Sequence, residues 1–577
     1  MRFHVLATDY DGTIALHGRV DEPTLRALRR VRDSGRRILL VTGRELPELM
    51  QIFPALDIFE RVVFENGAAI YDPSSKEVRV LAEPPPPAFA EALKRRGVWP
   101  LSSGRVIVAT FQPHQETVFQ VIQDMGLELQ VIFNKDAVMV LPSGVNKATG
   151  LRAALRELGL SIHNVVAIGD AENDHAFMAQ CECAVAVSNA VPSVKERAEW
   201  TTPHDHGAGV AELIDRLIAD DLTSLGELVR HSIEIGTMDD GQVIRFDPAI
   251  RGLLISGTSG SGKSTLTTLL LERLADAAYQ FVIIDPEGDY TNLEFASVLG
   301  SPARAPLIEE VMNALKDPVK SVVVTLLGIP LADRPAFFSQ LLPKLMELRS
   351  QRGRPHWLVV DETHHLLPAK REGGEPHLAL PDSGLLGITV HPGSVDRKAL
   401  ARFDTILAIG ERPDRTLGEF CEAIGEPVPR LCPDPEKLPT GDAVVWRRGE
   451  SEAVVIHTQP PRTERKRHSS KYAEGNLGAN RSFYFRGPES ALNLKAPNLF
   501  QFLQLADGVD DATWEFHRQN GDYSRWLREQ VKDAELADIV AEVECSEASP
   551  KESRSALRSE IEKRYTLPAD EASGVID

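Results

Sequence analysis

Short runs that are almost wholly apolar and free of charge recur along this chain, and they constrain its fold more than any other feature. Residues 38–41 and 165–168 form such runs, as do 253–256, 281–284, 321–327, 357–360, 388–390 and 405–409. A strand covered by helices on both faces carries no polar alternation, and that is the usual state of a strand in a parallel sheet. Segments of helical spacing separate the runs. Residues 21–33 put Leu25, Leu28 and Val31 on one face, with Asp21 as the N-cap and Ser34-Gly35 as the stop. Alternating strand and helix signals predict α/β architecture, and they fall into two series, residues 1–220 and 221–458.

The remaining length fits around those two series. A chain of 577 residues exceeds what one core supports and predicts several domains. Glu83-Pro84-Pro85-Pro86-Pro87 is a stiff segment leading into an insert over about residues 84–140. A hairpin is expected around Asp239-Asp240-Gly241, where the second series opens. Residues 459–475, with Arg465-Lys466-Arg467, read as a basic linker, and 476–545 as a small, mainly helical domain. Its aromatics, among them Trp514, Phe516, Tyr523 and Trp526, are expected to be core rather than base-stacking surface. Residues 546–577 read as a loose, charged tail.

The net charge of −20 argues against a surface that coats nucleic acid, though it leaves room for a local basic channel. Five cysteines in this length exclude a disulfide scaffold and favour a reducing compartment. Cys181 and Cys183 lack a second pair at metal spacing and read as core thiols. No apolar run approaches the roughly 18 residues of a membrane span, and the apolar part of the N-terminus is too short for a signal peptide, so the expected location is the cytoplasm, with no membrane partner.

Asp9-Tyr10-Asp11-Gly12-Thr13 follows the first strand signal directly. Two carboxylates two residues apart at a strand end repel each other unless a cation sits between them, and Mg²⁺ is the natural oxygen-bound partner. Thr42-Gly43-Arg44 follows the next strand, Lys147 opens a helix, and Gly169-Asp170-Ala171-Glu172-Asn173-Asp174 follows a third strand. Strand ends on one edge of a parallel sheet are where ligands bind. In order and placement this set resembles the haloacid-dehalogenase-type (HAD) phosphatases over residues 1–220. The insert between the second and third motifs, with Glu65-Asn66-Gly67 before it, resembles the Cof/sucrose-phosphatase branch. The resemblance implies a Rossmannoid domain with a small cap and hydrolysis of a small phosphorylated metabolite such as a sugar phosphate. It implies Asp9 as a nucleophile that forms an aspartyl-phosphate, Asp11 as acid and base, and Thr42 and Lys147 as holders of the phosphoryl group. Mg²⁺ would lie on Asp9, Asp11 through its carbonyl, and Asp170, with Asp174 supporting. Asn173 and Arg44 are candidate substrate contacts.

Gly257-Thr258-Ser259-Gly260-Ser261-Gly262-Lys263-Ser264 sits between a strand signal and a helix that starts near Thr265. Glycines there let backbone N–H groups turn inward on phosphates at a helix N-terminus. ATP is the expected ligand, with Lys263 reaching its β- and γ-phosphates and Ser264 holding Mg²⁺. The run at 357–360 ends in Asp361-Glu362, which would complete the Mg²⁺ shell and polarise the attacking water. His364 and His365 lack the spacing of a zinc helix. With residues 285–290 and 389–395, this P-loop series resembles the HerA/FtsK-type ring ATPases. Their fifth strand usually ends in a Gln that senses the γ-phosphate, and His391 stands there. Such rings, often hexameric homo-oligomers, take an arginine from the neighbouring subunit, and Arg402 and Arg412 are the candidates.

The leading expectation is therefore a bifunctional phosphatase and ATPase. The alternatives are a DNA-translocating machine whose phosphatase acts on nucleotides or DNA ends, and an ATP-sensing assembly module. A phosphatase fused to a polynucleotide kinase ranks below these, because Asp361-Glu362 fits a hydrolase better.

Overall fold

The computed structural model describes all residues except 135, 227, 259, 370–377, 432–436, 464–481, 489–491, 532 and 565–577. Ser259, Cys432 and the basic run Arg465-Lys466-Arg467 thus lie outside the described residues. The chain divides into two compact units, Met1–Thr463 and Glu464–Asp577.

The first domain of the larger unit is built on an eight-stranded sheet. Its order is Trp200–Thr201, Cys183–Ala186, Val165–Gly169, Val5–Thr8, Arg37–Val41, Arg61–Phe64, Ala69–Asp72, Glu77–Val80. The first six strands are parallel, and the last two return antiparallel. The predicted helix forms as Glu22–Asp33, with the Asp21 side chain accepting from the Thr24 N–H at 2.8 Å. It packs on His206–Asp220, while Lys147–Glu157 packs on His175–Gln180. The insert is a four-stranded sheet ordered Ser102–Ser103, Val108–Phe111, Ala137–Pro142, Leu129–Asn134. Helices Pro87–Arg95 and Gln115–Asp124 bury Phe89, Leu93, Val118 and Val121 against one of its faces. The other face carries Met139 and Leu141 toward the first domain.

A twelve-stranded sheet forms the second domain. Its parallel core runs Thr405–Ile409, Gly252–Gly257, Leu385–Thr389, Trp357–Val360, Phe281–Asp285, Ser321–Thr325, Ala296–Leu299. The strand that leads to His391 therefore lies between the strand before Lys263 and the strand before Asp361. The half-buried edge strand Ala296–Leu299 is one that the sequence reading does not include. Antiparallel strands Asp442–Arg447 and Glu452–His457 extend the other edge to the hairpin Ile233–Thr237/Val243–Phe246.

The smaller unit combines the hairpin Phe483–Phe485/Leu494–Ala496 with the helices Leu499–Gly508, Asp511–Gln519, Asp522–Trp526, Ala534–Cys545 and Pro550–Arg564. Phe485, Phe502, Trp514 and Tyr523 are buried in its core. Part of the expected tail differs from the reading above. Residues 550–564 are helical, and Leu557 and Ile561 pack into the same core. High charge concealed two apolar positions four residues apart, which meet on one helical face. No helix among the described residues is long and apolar enough to cross a membrane.

Candidate active sites

The first site forms at the C-terminal ends of three adjacent parallel strands. Asp9 follows Val5–Thr8, Thr42 follows Arg37–Val41, and Asp170 follows Val165–Gly169. Lys147 reaches in from the first residue of its helix, whose start is fixed by the Asn146 side chain accepting from Ala148 and Thr149 N–H groups. Its Nζ donates to Asp9 Oδ1 at 2.5 Å and to Asp174 Oδ1 at 2.6 Å. Asp174 is anchored in turn, because its Oδ2 accepts the Asp170 and Ala171 N–H groups at 2.9 and 3.0 Å. Lys147, Asp9, Asp170 and Asp174 are all buried. Burial works against the Lys147 charge, yet Asp174 and Asp9 hold its pKa above the ordinary lysine range. Burial, with Asp174 and Asp170 nearby, pushes the Asp9 carboxyl well above the usual carboxylate range despite Lys147.

Oxygens of Asp9, Asp170 and Asp174 come within 4.8 Å of one another. Three buried carboxylates facing a single ammonium make a site that fits a hard divalent cation such as Mg²⁺. Asp170 sits tightly against the loop that carries Asp11. A Cβ on Gly12, at φ +81°, would lie 2.3 Å from Asp170 Oδ2. Asp11 itself turns toward Arg44, whose Nε and Nη2 reach its two carboxylate oxygens at 2.6 and 2.7 Å. Thr42 is buried beside them, and its Oγ1 accepts the Arg44 N–H at 3.2 Å.

Sequence reasoning left out several residues of this site. The Thr13 hydroxyl lies 3.3 Å from both Asp9 Oδ2 and Asp170 Oδ1. Asn66 Oδ1 accepts from Asn173 Nδ2 at 3.1 Å, while Asn66 Nδ2 and Asn173 Oδ1 are buried without a protein partner. Glu65 is wholly buried and accepts the N–H groups of Arg105, Val106 and Ile107 at 2.8, 2.7 and 3.0 Å, which fastens the cap to the core beside the site. The positive φ angles of Glu65, Asn66 and Gly67, 48°, 54° and 99°, are the local reason this segment turns so tightly.

The second site lies at the C-terminal edge of the other parallel sheet. Gly260 and Gly262 have φ of +80° and +100°, with open space where a Cβ would stand. Lys263 Nζ bridges the Gly257 and Thr258 carbonyls at 3.0 Å each, and burial lowers its pKa against the pull of Glu362 and Asp361. The Ser264 hydroxyl donates to Asp289 Oδ2 at 3.0 Å, and Ser261 packs against Gly410 at the end of the neighbouring strand. Thr265 is exposed on the first helical turn. Burial pushes the Asp361 carboxyl well above the usual range, with Asp289, Asp285 and Glu362 adding to it. Asp285 is pushed up to about 7 by burial, although it accepts the N–H groups of Gly288, Asp289 and Tyr290 at 2.8, 3.0 and 3.0 Å. This excess of buried acid beside Ser264 also fits a divalent cation.

Glu362 sits at φ +45°, and its carboxylate lies 3.4 Å from His364 Nδ1, which is 3.1 Å from Thr389 Oγ1. His364 thus stands between Glu362 and the strand Leu385–Thr389. His391 is exposed, its ring 6.1 Å from that of His364. Arg412 lies two residues beyond Gly410 on the nucleotide edge, paired with Asp414 at 2.7 Å. Arg402 belongs to the opposite edge, where its carbonyl closes on Gly252 and its side chain meets Asp382 at 2.6 Å.

Comparison with known proteins places both domains. Residues 6–92 and 107–214 match the haloacid dehalogenase-like hydrolase family, and residues 233–331 match the central domain of helicase HerA. A phosphoglycolate phosphatase of Methanothermobacter thermautotrophicus is 32% identical over 221 residues, spanning 37% of this chain and 98% of that protein. That of Methanosarcina acetivorans is 28% identical over 223 residues, spanning 38% and 97%. A crystal structure of a haloacid dehalogenase-like hydrolase from Bacteroides thetaiotaomicron aligns with 20% identity, a TM-score of 0.33, and coverage of 37% of this chain and 99% of that one. The chain belongs to the haloacid dehalogenase-like hydrolase family and carries behind its phosphatase domain a HerA-type ATPase domain.

Proposed function

We propose that the chain is a bifunctional enzyme, a Mg²⁺-dependent phosphomonoesterase for a small phosphorylated metabolite joined to an ATP-hydrolysing domain. The observation that carries this reading is the buried Asp9–Lys147–Asp174 constellation beneath the cap.

In this reading an Asp9 oxygen bonds to phosphorus as the ester oxygen departs, and Asp11 gives that oxygen a proton. Asp11 then takes a proton from water, which cleaves the aspartyl-phosphate and returns Asp9. Lys147 and Thr42 hold the phosphoryl oxygens, where charge builds up, and Asn173 touches the phosphate. Asp9, Asp170 and the Asp11 carbonyl would hold Mg²⁺, with Asp174 supporting, and the ion supplies positive charge at the phosphoryl group. Arg44 contacts the rest of the substrate. Its bidentate grip on the Asp11 carboxylate suits a substrate that brings a second carboxylate, takes over the guanidinium and frees Asp11. Phosphoglycolate, named for the curated relatives, has that chemistry, whereas a neutral sugar phosphate lacks it.

In the ATPase domain Gly257–Ser264 and Thr265 would cradle the phosphates, Lys263 would neutralise them, Ser264 and Asp361 would hold Mg²⁺, and Glu362 would polarise water. His391 stands at the strand end that faces the γ-phosphate. A ring of identical subunits would complete the site with Arg412 from a neighbour. The HerA match favours DNA as the substance such a ring moves, and DNA-stimulated ATP hydrolysis with a steep salt dependence would identify it.

The test is phosphate release with Mg²⁺ from phosphoglycolate, sugar phosphates, nucleotides, DNA ends and ATP. Asp9→Asn should abolish release from the monoester and leave ATP hydrolysis intact, and Lys263→Ala should do the reverse. Loss of both activities from either change refutes two independent sites. Release from DNA ends alone would put the DNA-translocating reading first.

A further inference from the structure

The two sheets meet base to base. His163 and Glu182 precede the strands Val165–Gly169 and Cys183–Ala186, on the edge opposite Asp9. Tyr279 and His356 precede Phe281–Asp285 and Trp357–Val360, on the edge opposite Lys263. These four side chains are buried together between the domains. The rings of His163 and Tyr279 stack with centroids 3.6 Å apart and planes at 17°, and His356 meets both edge-on at 5.5 and 5.3 Å. Glu182 Oε2 accepts from the Tyr279 hydroxyl at 2.8 Å and from His163 Nδ1 at 2.7 Å, and Arg2 pairs with its other oxygen. Beside this node Arg354 donates to the Gly159 carbonyl at 2.8 Å, and Asn164 donates to the Gly353 carbonyl at 3.2 Å. Ligand atoms of His163, Glu182 and His231 lie within 4.8 Å of one another. The Glu182 charge is already matched by Arg2, however, so the cluster is a hydrogen-bonded joint and needs no metal.

One bond in the joint has a direct line to the nucleotide. The helix Lys263–Asp276 begins at the phosphate loop and ends at Ala277. The last carbonyls of a helix lack partners within it. The Ala277 carbonyl, at this C-cap, accepts from His163 Nε2 of the phosphatase domain at 2.7 Å. From the same node, strand Val165–Gly169 runs straight to Asp170.

We infer that His163 is a positioning residue of the nucleotide site, one that holds the far end of the P-loop helix and, with Glu182 and Tyr279, makes nucleotide binding and the folding of the phosphatase domain depend on each other. The inference rests on the ATP-binding reading above. The two active sites lie on opposite edges of the joined sheets, two strand lengths and the joint apart, roughly 40 Å. Coupling runs through the frame and is reciprocal: a nucleotide that steadies the helix steadies the phosphatase domain, and the reverse holds.

The full chain tests this with a non-hydrolysable ATP analogue and Mg²⁺. Analogue binding is measured by calorimetry, and p-nitrophenyl phosphatase activity is measured after graded heating. At an analogue concentration about 100 times its Kd, the wild-type phosphatase should inactivate about 3 °C higher than without it. Lys263→Ala should remove the shift. His163→Ala should still bind analogue, several-fold more weakly, and lose the shift, whereas His163→Gln, which keeps a donor for the Ala277 carbonyl, should recover part of it. Should His163→Ala fail to fold, Tyr279→Phe, which removes one hydroxyl, should shrink the shift. Analogue binding to wild type with no shift, or a full shift in the His163→Ala and Tyr279→Phe chains, overturns the inference and leaves the ATP reading standing. Absence of analogue binding in calorimetry overturns both.

Discussion

Replacing Gly67 with alanine should impair the phosphatase without touching the ATPase. Gly67 has φ +99°, and a Cβ there would stand 1.9 Å from the Asn146 carbonyl oxygen, 2.4 Å from its carbon and 2.9 Å from the Lys147 nitrogen. All three are backbone atoms at the start of the helix that carries Lys147, so no side chain can swing away. The helix start must retreat by roughly 1 Å to restore contact distance, and a displacement of that size costs on the order of 100-fold in rate when it moves a reacting group. The Lys147 bonds to Asp9 and Asp174, at 2.5 and 2.6 Å, are the ones it loosens. Expected values are therefore a kcat for phosphate release lowered about 100-fold, or about 3 kcal/mol in the barrier, with ATP hydrolysis unchanged. The control is Gly35→Ala, at φ +83° with nothing within 4 Å of its Cβ. It carries the backbone strain without the clash and should cost about 1 kcal/mol of stability and no kcat. Wild-type kcat in a folded Gly67→Ala chain would refute the argument that this close approach sets the position of Lys147.

Gly12→Ala would drive a Cβ into Asp170 Oδ2, 2.3 Å away, and should raise the Mg²⁺ concentration for half-maximal phosphatase activity about tenfold or more, read by Mg²⁺ titration after chelation. Burial opposes the Glu182 charge, but hydrogen bonding and charge from His163, and Arg2, bring its pKa from 4.5 down to about 2. A folded-state pKa below the unfolded one stabilises above the unfolded value and fades as pH falls through the folded one. The stability gap between wild type and Glu182→Gln, from urea unfolding, should thus narrow by on the order of 3 kcal/mol between pH 5 and pH 2. Leu557→Ala should cost about 2–4 kcal/mol in the C-terminal unit, a loss that a loose tail would not suffer, and its thermal transition reads this directly.

What the sequence made legible follows from where chemistry sits in an α/β sheet. Asp9, Thr42, Asp170 and Asp361 each stand where a strand run stops, and Lys263 follows its strand after the glycine-rich loop 258–262, so run, loop and residue are all visible in the sequence. The edge strand Ala296–Leu299 is hard to see because it is only four residues long and Ser297 interrupts its apolar run. Thr13 and Asn66 were missed for another reason. Neither residue type marks a site by itself, and each acquires its role only from the turn that aims it at Asp9 or Asn173. His364, two residues after Glu362, lies 3.4 Å from its carboxylate, a contact that no strand-end rule points to.

The joint between the domains marks the limit of reading by motif. Glu182 lies between two cysteines read as core thiols, and burial of Cys181 and Cys183 agrees with that reading while saying nothing of the carboxylate between them. His163, Tyr279 and His356 are separated by whole strands and helices, so no spacing rule links them. Only the meeting of two sheet bases brings them to one buried carboxylate. Such a base is free of catalytic demand, and each of its polar residues is costly unless its partner is present. Glu182 has two of its partners, Arg2 and His163, within its own domain and the third, Tyr279, in the next. The His163 Nε2 partner also lies in the next domain, at Ala277. Separating the domains would strand a buried hydroxyl–carboxylate pair and an open helix end at once, and that penalty is what makes the phosphatase and the ATPase one structural unit rather than two tethered ones.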